Sequence, residues 1–306
     1  MARQTGPIQA RLEYAAIAAF AAPIRAMPLE RGARLGAWLG ALAARLDPFE
    51  RGVAMRNLEI AFPAASRAER RRILAATYAN WGRCFAEWIH FDELDRGNLD
   101  RFVTYRDEEN LREAYRLTDG RGVLILTGHF GNFELLPLAY SIHSDPVALV
   151  TRPLRNPLVD TAVRMARTRF GNQAIPRAGA GRQILRLLRK NWMVGIPLDL
   201  DTRRGVFVDF FSLKAATSDA LARVSLATGA PVVPTFLVRD GASIHHWLTF
   251  LEPIVPRRRA DREAAVLEHT QIYTKVMERM IRAHPDHWNW IHRRWKTRPP
   301  GESRFY

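Results

Sequence analysis

The stretch Gly122-Val-Leu-Ile-Leu-Thr-Gly-His-Phe-Gly-Asn-Phe-Glu134 decides the fold. Its apolar run is too short for a buried helix, carries β-branched Val and Ile, and ends in a turn bracketed by Gly128 and Gly131. That reading predicts a buried strand over Val123–Leu126 running into a helix over 132–141. The same alternation continues downstream. Val147–Val150, Met193–Pro197 and Val232–Val238 read as strands, and 157–170, 181–190 and 217–228 as helices. Ile244–Leu251 is a candidate antiparallel strand, followed by a helix over 261–283. Alternation of this kind predicts an α/β fold, with a central mixed, partly parallel sheet flanked by helices and functional loops at the strand ends.

Upstream, residues 1–100 read as helical. Gly32, Gly36 and Gly40 recur every four residues and give a smooth face for close helix contact, while Leu35, Trp38, Leu39, Leu42 and Leu46 give an apolar one. Ser66 with Glu69 three residues on is a capping-box signature that opens a helix. The expected organisation is an N-terminal helical, membrane-interfacial region over 1–100 and an α/β catalytic core over 101–306, forming one compact unit. No internal repeat or low-complexity linker divides them.

The chain has 306 residues, of which 47% are hydrophobic, enough for a well-buried core rather than intrinsic disorder. Its 46 Lys and Arg exceed 31 Asp and Glu by 15 charges. Lysine occurs only at Lys190, Lys214, Lys275 and Lys296, so the excess is arginine, whose planar fork suits phosphate. Candidate partners are phosphorylated lipids, anionic membranes, acidic proteins or nucleic acid. The arginines are spread along the chain without a recognised nucleic-acid motif, which argues against the last. Cys84 is the sole cysteine, which excludes an internal disulfide and a cysteine-built zinc site; its apolar neighbours predict an inert buried thiol. Tyr14 to Ile24 is uncharged but contains Pro23 and falls short of the roughly 18–20 residues of a spanning helix. An interfacial helix with Arg25, Arg31 and Arg34 near headgroups is expected, and an ordinary core-packing helix is the alternative.

His129 and Glu134 carry the chemistry. On one helix their five-residue separation would set them about 140° apart, so His129 belongs in the turn and Glu134 in the first helical turn behind it. There Glu134 is expected to accept a hydrogen bond from one imidazole nitrogen while the other takes a proton, with free N–H groups at the helix start available to an oxyanion. The plainer alternative is a helix-dipole glutamate beside an ordinary turn histidine. Arg152, directly after a strand, is the first candidate for a phosphate or the oxyanion. Arg167, Arg169, Asp199 and Asn132 are further substrate-binding candidates. Trp288, Trp290 and Trp295, interleaved with Arg293, Arg294 and Lys296, suit either a bilayer interface or a packed core. His245-His246 lies in a strand pattern whose neighbours point to opposite faces, a poor chelating pair.

The strand followed by His129-Phe-Gly-Asn-Phe-Glu134 resembles the His-x-x-x-x-Asp/Glu signature of the lysophospholipid acyltransferase-like superfamily. The glutamate in last place is similar to the bacterial lipid A biosynthesis lauroyl/myristoyl acyltransferase family. Asn57-Leu, Phe62-Pro, Thr151-Arg-Pro, Asn156-Pro, Arg169-Phe-Gly, Asp199, Gly205-Val-Phe-Val-Asp-Phe-Phe, Gly229-Ala-Pro-Val-Val-Pro and Trp290-Ile-His-Arg-Arg-Trp-Lys follow in the family's order. Phe133 stands where tryptophan is usual, Asp209 where proline is common and Ser212 where glycine often follows the Phe-Phe pair. The resemblance implies O-acyl transfer from acyl carrier protein to a hydroxyl of a lipid A precursor, with His129 as general base and Glu134 as its partner. It implies no cofactor and no metal, and a peripheral or monotopic place on an anionic membrane surface, the cytoplasmic face of the bacterial inner membrane. Phe130, Phe133, Phe210 and Phe211 are candidates for an acyl-chain pocket. Acyl-CoA as donor to a phospholipid or glycolipid is the alternative within this chemistry; a basic nucleic-acid-binding protein is the alternative outside it.

Overall fold

The computed structural model describes residues 5–118 and 120–306, so the first four residues of the helical region and Asp119 lie outside the description. Four helices come first: α1 (Pro7–Arg25), α2 (Leu29–Leu46), α3 (Pro48–Ala61) and α4 (Arg67–Ile89). Their starts follow from local chemistry. Pro7 and Pro48 occupy first-turn positions where no N–H is missed, Asp47 accepts from the Glu50 amide, and Ser66 and Glu69 close the capping box. The glycine face of α2 packs on α4. A Cβ on Gly36 would lie 2.2 Å from the Gly82 carbonyl oxygen, and one on Gly82 would lie 1.8 Å from that of Gly36. The two backbones are thus in contact. On α2, Trp38 is 62% and Leu46 72% exposed, so part of the apolar face expected from the sequence remains uncovered.

The second part alternates strand and helix: β1 (Val103–Arg106), α5 (Glu108–Arg116), β2 (Leu124–Thr127), α6 (Leu135–His143), β3 (Val147–Thr151), α7 (Pro157–Thr168), β4 (Gln173–Pro176), α8 (Ala180–Leu188) and β5 (Met193–Pro197). A hairpin of β6 (Val206–Phe210) and β7 (Leu213–Thr217) intervenes, then α9 (Ala220–Thr228), β8 (Val232–Arg239), β9 (His246–Phe250) and α10 (Arg262–Ala283). Seven strands form one sheet in the order β1-β9-β8-β2-β5-β3-β4, parallel throughout except for the antiparallel β8–β9 pair. The fold class expected from the alternation is therefore the one observed.

Both faces of β2 are covered, as a parallel sheet requires. Leu124 and Leu126 join Leu58, Leu74 and Tyr78 of the N-terminal helices and the C-terminal tryptophans in one core cluster. Val123 and Ile125 join Leu136, Ala139 and Ile142 of α6 in the other. Because β2 and β5 pair with Thr127 opposite Pro197, the segments leaving these two strands emerge side by side at one edge of the sheet.

Candidate active site

His129 sits in the turn leaving β2, two residues beyond Thr127; Asp199 sits two residues beyond Pro197 on the neighbouring strand. The register brings them together. Asp199 Oδ1 lies 3.1 Å from His129 Nδ1, and Asp199 Oδ2 accepts the His129 backbone N–H at 2.8 Å. The buried Trp288 indole donates to the same Oδ2 at 3.0 Å. Gly128 makes this approach possible, since a Cβ there would lie 2.7 Å from the Asp199 Cγ. The carboxylate is fully buried, whereas the His129 side chain keeps 27% of its surface; Nε2 has no hydrogen-bond partner among the described residues.

The electrostatics follow from this geometry. Burial alone raises the Asp199 carboxyl, but the His129 charge and hydrogen bonds, with the Trp288 donor, hold it down at about 2. Burial alone lowers the imidazole, and the Asp199 charge and hydrogen bond overrule it, leaving His129 above its ordinary 6.5. With a carboxylate facing Nδ1, the neutral ring carries its proton there and presents Nε2 as an acceptor.

Glu134 is not the imidazole's hydrogen-bond partner. It occupies the N-cap position of α6, and its two oxygens accept from Arg167 Nε at 2.8 Å and a terminal nitrogen of the same guanidinium at 2.5 Å. Both side chains keep about a fifth of their surface, at 22% and 21%. Glu134 still acts on His129 through space, raising its proton affinity, while Arg167 lowers it. The expectation of a Glu134–His129 bond failed because α7 supplies a cation that the local sequence does not show.

Other candidates also take different places. Asn132 is buried: its amide nitrogen donates to Glu87 at 2.7 Å and its oxygen accepts from the Leu135 N–H, so it anchors the turn instead of facing a substrate. Glu87 is in turn clasped by both terminal nitrogens of buried Arg239. Arg169 donates to the Phe91 carbonyl, and only Arg152 keeps an exposed position directly after β3. Phe130, Phe210 and Phe211 are buried in the core, the first against Phe236 and the other two against tryptophans, so they do not line an open pocket. Phe133 alone stays partly exposed, its ring 5.0 Å from that of His129. Arg294 is buried as well, and Trp288, Trp290 and Trp295 belong to the core, not to a bilayer interface. Arg25 is committed to Asp92 at 2.6 and 2.7 Å.

A cleft of about 630 Å³ lies between α5 and the end of α6, lined by Tyr115, Tyr140, His143 and Trp192; His129 is not part of it. Among the described residues no group of His, Cys, Asp and Glu is arranged to hold a metal ion.

A histidine bonded to a buried carboxylate at the carboxyl edge of a largely parallel sheet is an arrangement chemically able to transfer a proton. Residues 8–297 match the family described as bacterial lipid A biosynthesis acyltransferase. The chain belongs to that family and is an acyltransferase. It is 30% identical over 277 residues to the lipid A biosynthesis lauroyltransferase of Escherichia coli (strain K12), covering 88% of this chain and 86% of the relative. It is 28% identical over 279 residues to the lipid A biosynthesis palmitoleoyltransferase of the same organism, covering 89% and 87%. The crystal structure of the 1-acyl-sn-glycerophosphate acyltransferase of Thermotoga maritima spans 84% of this chain and 98% of its own, at 14% identity and a TM-score of 0.38, too distant to speak to the site.

Proposed function

We propose that this acyltransferase moves a fatty acyl chain from an acyl carrier protein thioester to a hydroxyl of a lipid A precursor, with His129 as general base. The observation that carries the reading is the His129–Asp199 pair, which engages Nδ1 and leaves Nε2 without a hydrogen-bond partner among the described residues, on a side chain that keeps 27% of its surface. The acceptor oxygen attacks the thioester carbonyl while Nε2 takes its proton. The tetrahedral oxyanion then collapses, the C–S bond breaks, and the carrier thiolate leaves and takes the proton from the imidazolium. Asp199 stays ionised, fixes the tautomer and stabilises the imidazolium. Arg167, held flat by Glu134, is the cation placed to meet negative charge that develops beside His129, and exposed Arg152 is placed for a phosphate of the acceptor.

Access from a bilayer suits this edge. The loop after β3 is tied to α1: Asn156 donates to the Ala10 carbonyl and to Glu13 at 3.0 and 2.8 Å. Next to it Leu154 and Leu158 are each 40% exposed, and on α1 Ile8 and Leu12 are 76% and 67% exposed. Among the described residues no helix is long and apolar enough to cross a membrane. On the strength of the exposed apolar residues of α1 and the loop after β3, the proposed attachment is to a membrane surface, and the family's acyl donor and acceptor suggest the cytoplasmic side of the bacterial inner membrane.

The test is transfer from purified acyl carrier protein thioester and, in parallel, acyl-CoA to lipid A precursor in mixed micelles. His129→Ala is expected to lose about 10²–10⁴-fold in kcat while keeping its circular dichroism spectrum. A folded variant with near-normal turnover would refute the base assignment, and a strong preference for acyl-CoA would refute the donor.

A further inference from the structure

The segment from His287 to Trp290 lies across the turn that carries His129. Gly131 N–H donates to the His287 carbonyl at 2.8 Å, Asn289 N–H donates to the His129 carbonyl at 3.2 Å, and Phe130 and Trp288 form an antiparallel bridge. A short piece of strand is thereby added to the turn itself. Its central side chain, Trp288, has no exposed surface and sends its one polar atom to Asp199 Oδ2. The ring is fixed from two sides, by Phe210 at 5.5 Å and Trp290 at 4.7 Å between centroids.

We propose that Trp288 is a positioning residue of the acyl transfer: its indole N–H aims the Asp199 carboxylate at His129 and withholds part of that carboxylate's basicity from the imidazole. The inference rests on the reading of His129 and Asp199 given above. A neutral donor is suited to this task. A cation in its place would pair with Asp199 and drain its negative charge, whereas an indole fixes one oxygen and leaves the other to His129. The remaining charged and titratable groups that face the pair come from four elements. They are Glu134 at the start of α6 and Arg167 on α7, Asp201 beyond β5, and His292 and Arg294 in the C-terminal segment. Glu134 and Arg167 are bonded to each other and act on His129 in opposite directions, and His292 accepts the Asp201 backbone N–H as a neutral ring.

The sign of the effect separates this role from simple packing. When the indole donor is removed, Asp199 becomes a stronger base, binds the imidazolium more tightly and raises the proton affinity of His129. The acid limb of kcat/KM then moves to higher pH. If Trp288 only fills space, its N–H takes no share of the basicity of Asp199, and its replacement by phenylalanine leaves that limb in place. The experiment is the pH profile of kcat/KM for wild type, Trp288→Phe, Asp199→Asn and the double variant, with thermal unfolding recorded for each. Trp288→Phe is expected to shift the limb upward by roughly half a unit and to lower kcat about tenfold, and Asp199→Asn to shift it downward. The double variant should match Asp199→Asn, because the indole has no carboxylate left to act on. An unmoved or lowered limb in folded Trp288→Phe overturns the proposal for Trp288 alone, while an unmoved limb in Asp199→Asn overturns the underlying reading of the pair. Should Trp288→Phe fail to fold, the Trp288 indole ¹H–¹⁵N resonance of the wild-type protein decides. It is expected to move with the His129 titration, and a resonance that ignores that titration overturns the proposal.

Discussion

Gly128 shows how a missing side chain sets the chemistry of its neighbours. A Cβ there would meet the Met277 terminal methyl at 2.0 Å and the Asp199 Cγ at 2.7 Å. The methyl can swing aside. Asp199 cannot, because His129 and Trp288 hold both its oxygens. Gly128→Ala is therefore expected to cost about 1–3 kcal/mol of stability by overpacking and to lower kcat disproportionately, on the order of 10²-fold. Thermal unfolding set beside kcat checks the split, and wild-type turnover in that variant would show that Asp199 does not orient the imidazole. A second consequence concerns pH. Since Asp199 raises His129 above 6.5 and a general base must be neutral to accept a proton, the proposed role of His129 predicts that activity falls as pH drops through a midpoint above 6.5. A kcat/KM profile with its acid midpoint at or below 6.5 contradicts this. At this scale the sequence was only half legible. His129 stands out between its glycines, but its partner is 70 residues away. Asp199 meets it through the register of β2 and β5, and no local spacing encodes that register. Glu134 was the nearer carboxylate in sequence, and Arg167, arriving on α7, claims it.

Elements explain why the turn stays where it is. Glu87 on α4 and Arg239 at the end of β8 form a buried ion pair, with side chains 4% and 2% exposed, and Glu87 extends the pair to Asn132. The Asn132 amide is thereby oriented so that its oxygen accepts the N–H of Leu135, the first residue of α6. Cutting the pair strands a charge in the core. Glu87→Ala should therefore cost about 3–5 kcal/mol, seen as a drop in denaturation midpoint, and a loss under 1 kcal/mol would show that water or another group takes over Arg239. At this level the sequence reads well where a pattern is local. The capping box at Ser66 and the glycine spacing on α2 lie where their residues predict, as do the starts of α7 and α10, capped by Asn156 and Asp261. It reads poorly where strands are short or marginal. β1 and β4 have four residues each, β4 ends on Pro176, and both are edge strands. The hairpin of β6 and β7 turns through Phe211 and Ser212, both at positive φ (50° and 66°), a conformation that favours glycine and that Phe211 adopts inside an aromatic cluster.

For the whole molecule, the alternation of strands and helices was enough to give the architecture, because hydrophobic periodicity is set by burial on a sheet and survives without detail. The surface is less readable from sequence, since exposure depends on what covers a residue. Tryptophans near the C-terminus are core, while Trp38 and, on α1, Ile8, Leu12, Ile17 and Phe20 are open. Together with a net charge of +15, that exposed set predicts binding to vesicles containing anionic lipid that weakens as salt rises. Ile8→Asp with Leu12→Asp should reduce sedimentation with such vesicles severalfold, yet leave transfer in detergent micelles near wild type. Undiminished sedimentation would move the contact elsewhere on the molecule.

The strand piece at Trp288 follows every strand of the sheet in chain order. Synthesis runs in the same direction, so the stretch that covers one face of β2 and bonds to Asp199 is made after every strand it serves. Core packing and, on the proposal above, the aiming of Asp199 are thus completed by one and the same stretch, so a chain truncated before Trp288 is expected to lose stability and turnover together.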